Sequence, residues 1–345
     1  MIPAVLGALL VAGTAPVAAV PTGWTAPTRA HATHAAVAHD LASEADGSVH
    51  LAVEGAPAAG IWYVTRSGSS WDKVQVSAGT DRSPSIALDG SGVVIAFARM
   101  DAGDRGIFTV TNINGEWEAP VKRFSGEGVD PSLAIFEGRA HLAFRTTGGS
   151  LRYAAGPDDA TDATGWIAET VDGSCCTSAP SLGVTTGGAP RVAYADGTAA
   201  SPGGLVVVSR TGASAWNRQV VDARRVSTPS LAIYGTGLYL AYVRRGAGTW
   251  YASKPAATWS YKQLDASASG PPDISAFSGS AAFLFGKTGA LKYATMSGGI
   301  LFTKPFTTTA GDRSPRIVRA GGKPIVTWLR HNGGSADGVL LSRQK

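Results

Sequence analysis

Mostly apolar segments of strand length recur, among them Val93 to Phe97, Ala140 to Phe144 (with His141) and Leu151 to Ala155 (with Arg152), and turns such as Asp46-Gly47, Asp89-Gly90 and Asn114-Gly115 separate such segments. Turns of this kind suit tight hairpins, and no long stripe at helical spacing interrupts the series. The pattern predicts an all-β chain. It also repeats. Pro84-Ser85-Ile86-Ala87, Pro131-Ser132-Leu133-Ala134, Pro180-Ser181-Leu182-Gly183 and Pro229-Ser230-Leu231-Ala232 are copies of one motif. Weaker copies start at Pro272 and Pro315, and one without the proline at His39, so the spacing is 43 to 49 residues. Seven units of that length predict a seven-bladed β-propeller of four-stranded blades.

Within a unit, strand one carries the motif and strand two ends near an aromatic residue: Phe97, Phe144, Tyr194, Tyr242, Phe285 or Trp328, with Val53 in the first unit. Strand four opens at Trp71, Trp117, Trp166, Trp216 and Trp259, with Ile300 in the sixth unit, each expected as a plug between blades. The seventh unit stops after its third strand, near Ser342. Its missing tryptophan stands at the other end of the chain, in Gly23-Trp24-Thr25. An N-terminal strand that completes the last blade would remove an exposed sheet edge and tie the ends together.

Composition supports a single β domain over 20–345, because 44 Gly and 19 Pro divide 345 residues into short segments and only 16% are charged. Residues 1–19 carry no charge and hold the apolar run Val5 to Ala12, with Val17-Ala18-Ala19 before a small-residue cleavage point. We read 1–19 as a signal peptide and expect a secreted, extracellular monomer with no membrane span after cleavage. The net charge of +5 is scattered over the chain. It favours an anionic partner weakly, and no recognition helix, zinc spacing or aromatic RNA-binding motif points to nucleic acid.

The Pro-Ser-Leu-Ala motif, the strand-two aromatic and the Gly-x-Trp start of strand four resemble the sialidase-like, BNR-type propeller superfamily, and more loosely the propeller lectins. The resemblance runs from Trp24 to Ser342 and concerns architecture. The Asp-box Ser-x-Asp-x-Gly-x-x-Trp of sialidases is absent from all seven units, so no catalytic residue is carried over.

Two rims should differ. The one-to-two and three-to-four turns are short, apart from the acidic insertion at 156–165. The two-to-three loops and the links between blades are longer and more charged, and loops on a rigid scaffold commonly carry function. On that loop-rich rim, strand two ends in Arg99, Arg145, Arg244 and Arg330, and two links share Asp-Arg-Ser-Pro, at Arg82 and Arg313. A ring of guanidinium groups would suit a carboxylate or sulfate ligand. Alternatively, each arginine pairs with a neighbouring Asp (Asp81, Asp101, Asp104, Asp130 or Asp312) and pins a loop.

His31, His34, His39 and His331 should be neighbours across the ring closure, either as a ligand-binding or basic group or as solvated loop residues; their spacing matches no metal motif, and neither metal nor cofactor is expected. Asp101, Glu127, Asp130 and Asp196, with Tyr194, Tyr242 and Tyr251, lie on or near the same rim without singling out an acid–base pair. Cys175 and Cys176 are adjacent, and we expect a vicinal disulfide that stiffens a turn or forms a platform under a ligand. The expected function is lectin-like binding of an extracellular glycan or other anionic polymer, with an acidic glycan expected first. The alternatives are a polysaccharide-active enzyme, either a sialidase-like glycoside hydrolase or a polysaccharide lyase, and a protein-interaction scaffold.

Overall fold

The computed structural model describes residues 20–345 except 32–35, 56–58, 68–69, 91, 160–161, 199–200, 269, 288–289 and 332–336; the expected signal peptide, 1–19, lies outside the described residues. Seven four-stranded antiparallel sheets stand around a central channel as a β-propeller, and no helix occurs among the described residues. Blade one consists of Ala36–Ser43, Val49–Gly55, Ile61–Ser67 and Ser70–Gln75. Blades two to six follow at 82–125, 128–172, 181–222, 226–265 and 272–305. Blade seven takes Asp312–Ala320, Lys323–Arg330 and Gly338–Arg343 from the C-terminus.

Its fourth strand is Thr28–His31, antiparallel to Gly338–Arg343 with Arg29 opposite Leu340. The closure therefore occurs as the sequence implies, although the regular strand begins just beyond Gly23-Trp24-Thr25. Those three residues make bridging contacts: Trp24 pairs with Gln344, Thr25 N–H donates to Arg343 O (2.8 Å) and Lys345 N–H donates to Gly23 O (2.8 Å). Trp24 is buried edge-on against Tyr293 and Phe306, at ring separations of 5.1 and 4.9 Å.

The strand-four tryptophans pack against the preceding blade, as Trp117 does on Tyr63 (4.9 Å) and Trp216 on Tyr153 (5.1 Å). Blade six departs from the expected pattern. Ile300 is 60% exposed, and Leu301 turns inward to the core between blades five and six. The side-chain alternation of a strand allows only one of two successive residues to face the core, and here the register favours Leu301.

The Pro-Ser motif lines the channel and links the blades. In the proline-bearing first strands the residue after proline reaches the next blade: Ser85 Oγ accepts Leu133 N–H (3.1 Å), Ser132 Oγ accepts Leu182 N–H (3.0 Å) and Ser181 Oγ accepts Leu231 N–H (2.9 Å). Asp40 holds blade two through Ile86 N–H and Ser85 Oγ, both at 3.0 Å. Ser230 donates to Asp273 (2.6 Å), Asp273 accepts Ile317 N–H (2.7 Å), and Arg316 Nε donates to Asp40 (3.1 Å), which closes the circle. Burial raises the Asp273 carboxyl above its ordinary range, against the opposing pull of Arg316. The channel enclosed by this ring has a cavity of about 330 Å³.

Candidate functional site

The loop-rich rim is shaped by four equivalent bulges. Ser83, Asp130, Thr228 and Ser314 have φ of 53°, 52°, 48° and 49°, and each directly precedes the proline of its repeat. Strand pairing slips at the same points. An extra residue in a strand re-aims the side chains after it, and such left-handed, non-glycine positions are held only by surrounding contacts. Of these four blades, two, five and seven end their second strand in arginine, while in blade three Arg145 stands one residue before the end, which is Thr146, and so out of step with the other three.

All four of these arginines face carboxylates. Arg99 makes a two-pronged pair with Asp81 (2.9 Å twice) and reaches Asp104 (3.0 Å), with its guanidinium 4.1 Å from the Phe108 ring centre. The Asp81 hydrogen bonds hold that guanidinium well above its ordinary range. Arg330 makes the same fork with Asp312 (2.7 and 2.8 Å), Arg145 meets Asp130 (2.6 Å), and Arg244 meets Asp222 (2.5 Å) while lying 3.5 Å from the Trp250 ring centre. This is the loop-pinning arrangement. Asp222 is a partner not foreseen from the sequence, and Asp101 instead accepts Thr80 Oγ1 (2.7 Å).

Arg82 and Arg313 are exposed at equivalent positions beside the bulges and make no ion pair among the described residues. Arg82 does act on Glu54, whose carboxyl burial nevertheless raises. Three further exposed arginines were not foreseen: Arg224 and Arg225 in the link to blade five, and Arg245 in the two-to-three loop of that blade. Arg245 N–H donates to Arg225 O (3.0 Å), which brings the two loops together. Arg224 and Arg244 share a cleft of about 530 Å³ with Trp250 and Tyr261; a neighbouring cleft of about 480 Å³ is lined by Arg244, Arg245 and Ser267. The doublets Arg224-Arg225 and Arg244-Arg245 were the available signal, because the repeat makes their loops adjacent.

The remaining candidates are dispersed. His331 is half-exposed, with Nδ1 3.9 Å from Asp337. His31 is buried beside Trp62, His39 is buried at the channel with Nε2 2.9 Å from Thr327 Oγ1, and His34 lies outside the described residues. Among the described residues no group of three His, Cys, Asp or Glu side chains could hold a metal ion. Cys175 and Cys176 form the vicinal disulfide, and both are buried with Leu182 and Tyr194, which leaves them little surface to offer a ligand. Tyr194 and Tyr242 donate to Asp172 (2.7 Å) and Asp222 (2.9 Å), and burial pushes both phenols up. Asp196 pairs with Arg218 (2.5 Å) and Glu127 with Arg105 (3.0 Å).

The buried histidines carry a pH signature. Burial lowers His31 and His141 to about 4, and lowers His39 as well. The unfolded chain takes up these protons near the ordinary value of about 6.5, so it binds more protons than the folded protein between the two values. Stability should therefore fall as pH drops from about 6.5 to about 4. Thermal melts across that window check this, and a flat or rising melting temperature would contradict neutral buried imidazoles.

The seven sheets define a seven-bladed β-propeller. The lectin SapL1, solved with α-methyl fucoside, superposes with a TM-score of 0.56 at 9% identity, over 80% of this chain and 99% of that one. Trypanosoma rangeli sialidase gives 0.54 at 9% identity over 92% of this chain, which spans 59% of the sialidase. A Dyadobacter fermentans protein of unknown function gives 0.57 at 10% identity, over 94% of this chain and 99% of that one. At such identities the likeness is one of fold. No protein-family model matches the chain, and no curated protein matches it in sequence.

Proposed function

We propose that this is a secreted, lectin-like propeller that binds an acidic extracellular glycan on its loop-rich rim, centred on blade five. The observation that carries the reading is the contrast within one rim: the strand-two arginines are committed to carboxylates, while Arg224 stands exposed at the cleft that holds Trp250 and Tyr261, Arg245 at the neighbouring cleft, and Arg225 on the loop that Arg245 touches. Arg82 and Arg313 extend the unpaired charge towards blades two and seven. Aromatic rings beside cations suit a sugar with an apolar face and an anionic substituent. The propeller lectin and sialidase neighbours are consistent with a carbohydrate ligand.

Arg225→Ala combined with Arg245→Ala should weaken binding to polyuronate or heparin by about one order of magnitude, since an exposed charged contact is worth up to about 1 kcal/mol. Affinity of the wild type should also fall as salt rises. Titration calorimetry at two salt concentrations, with Lys73→Ala on the outer edge of blade one as control, measures both. Equal binding by the double variant and the control would place the ligand elsewhere, and release of new reducing ends from the polymer would favour the glycosidase or lyase alternative.

A further inference from the structure

A second pocket lies on the opposite rim, where blade six meets blade seven, and it contains a break in the repeat. The fifth residue of the strand-one motif is Leu88, Ile135, Val184, Ile233 and Ala276 in blades two to six. Three of these pack against the same core cluster as the tryptophan of their own blade: Leu88 and Trp117, Ile135 and Trp166, Ile233 and Trp259. Blade one has Ser43 there, and blade seven has Arg319. Strand pairing confirms the equivalence, because Arg319 sits opposite Pro324 as Leu88 does opposite Val93 and Ile135 opposite Ala140. A long cation in a column of aliphatic residues costs desolvation that packing cannot return, and such local inconsistencies concentrate at functional positions.

The surroundings of Arg319 leave its charge unanswered. Its Nη1 donates to Gly322 O (2.9 Å), while its Nε is buried without a hydrogen-bond partner. Burial depresses the guanidinium below its ordinary range, and no Asp or Glu lines the pocket. Lys304 lines the same pocket, with its ammonium 5.6 Å from the Tyr293 ring centre, and makes no ion pair among the described residues. The pocket has a volume of about 540 Å³. Phe302, 64% exposed, stands at its edge; Tyr293 and Met296 contribute apolar surface; Thr295 and Gln344 supply polar groups.

We propose that this pocket binds a single sugar ring carrying a carboxylate, with the carboxylate between Arg319 and Lys304 and the apolar face of the ring on Phe302. Two unpaired cations call for an anion, which a planar guanidinium can grip through two N–H groups. The hydroxyl and amide groups among the lining residues answer a ligand rich in hydroxyls, and an exposed aromatic ring offers a flat surface for its C–H face. The site is separate from the blade-five clefts and stands independently of the function proposed for them.

The test is calorimetry and ligand-observed NMR on the whole chain with four probes: glucuronate, glucose, benzoate and sulfate. Glucuronate should bind at least tenfold more tightly than glucose, and more tightly than benzoate or sulfate. Arg319→Leu restores the aliphatic residue of the repeat, so it should melt no lower than the wild type and yet weaken glucuronate at least tenfold. Phe302→Ser, which introduces the residue that blade five has at Ser260, should weaken it about fivefold, and Lys304→Ala likewise. Arg225→Ala with Arg245→Ala should leave it unchanged, which separates this site from the loop-rich rim. Glucuronate binding that survives Arg319→Leu, equal or tighter binding of sulfate or benzoate, or no binding of any probe would overturn the proposal. Should Arg319→Leu fail to fold, Lys304→Ala and Phe302→Ser carry the same test, and unchanged binding in both would overturn it.

Discussion

Asp312→Ala is expected to destabilise the protein by about 3–5 kcal/mol, far more than a salt bridge at the surface would imply. The side chains of Arg330 and Asp312 are 2% and 0% exposed and joined by two hydrogen bonds, at 2.7 and 2.8 Å. Removing the carboxylate leaves a guanidinium that can neither return to water nor lose its proton. The pair itself contributes much less, because its mutual attraction offsets the desolvation of both ions. Arg330→Met with Asp312→Leu should therefore recover most of the loss. Arg145–Asp130 stands at the matching end of blade three, one residue out of step with that pair (Thr146 takes the place of Arg330), with side chains 30% and 25% exposed, and Arg145→Ala should cost no more than about 1 kcal/mol. Urea denaturation of the three variants beside the wild type tests the gradient. Equal costs for Asp312→Ala and Arg145→Ala would show that burial does not govern these pairs.

Deleting residues 20–31 should have an effect at least as large. It removes Trp24, whose loss alone is worth about 3–5 kcal/mol by analogy with other buried aromatics. It also strips Thr28–His31 from Gly338–Arg343, so a row of N–H and C=O groups on the last blade lies open. The shortened protein should melt well below the intact one and elute as dimers or larger species through edge-to-edge pairing. Unchanged melting and monomeric elution would contradict a closed ring. Trp24→Ala in the full chain separates the packing loss from the exposed edge, since it should lower the melting temperature without self-association.

The architecture was legible because a propeller states its fold several times over: the motif recurs at nearly constant spacing, and the deficit after Ser342 matches the surplus at Trp24. The chemistry of the motif was less visible. That Ser85, Ser132 and Ser181 accept N–H groups from the following blade depends on the angle between sheets, which no spacing records. The arginine pairs were hidden in another way. Arg99 and Arg330 find their Asp 18 residues back, Arg145 finds it 15 back and Arg244 22 back, so no constant offset marks the partner. Arg319 was readable in principle, as a cation in an aliphatic column, but it stands on the rim of short turns, where loop length and charge point to no ligand.

The closure also sets an order of events during synthesis. Blades one to six are continuous in sequence, so each can pair its strands as soon as its own residues are available, through contacts of low sequence separation. Blade seven cannot. Thr28 must wait for Leu341, its partner at almost the far end of the chain. Until then the segment around Trp24 has no sheet to join and its indole no pocket between Tyr293 and Phe306. The last step of assembly is thus a search by one free end for the other, with an entropic cost that grows only slowly with the length between them and is reduced by blades already in place. A chain interrupted before residue 338 would hold an incomplete ring with two unsatisfied edges, and a protease acting on unpaired termini would find it at once.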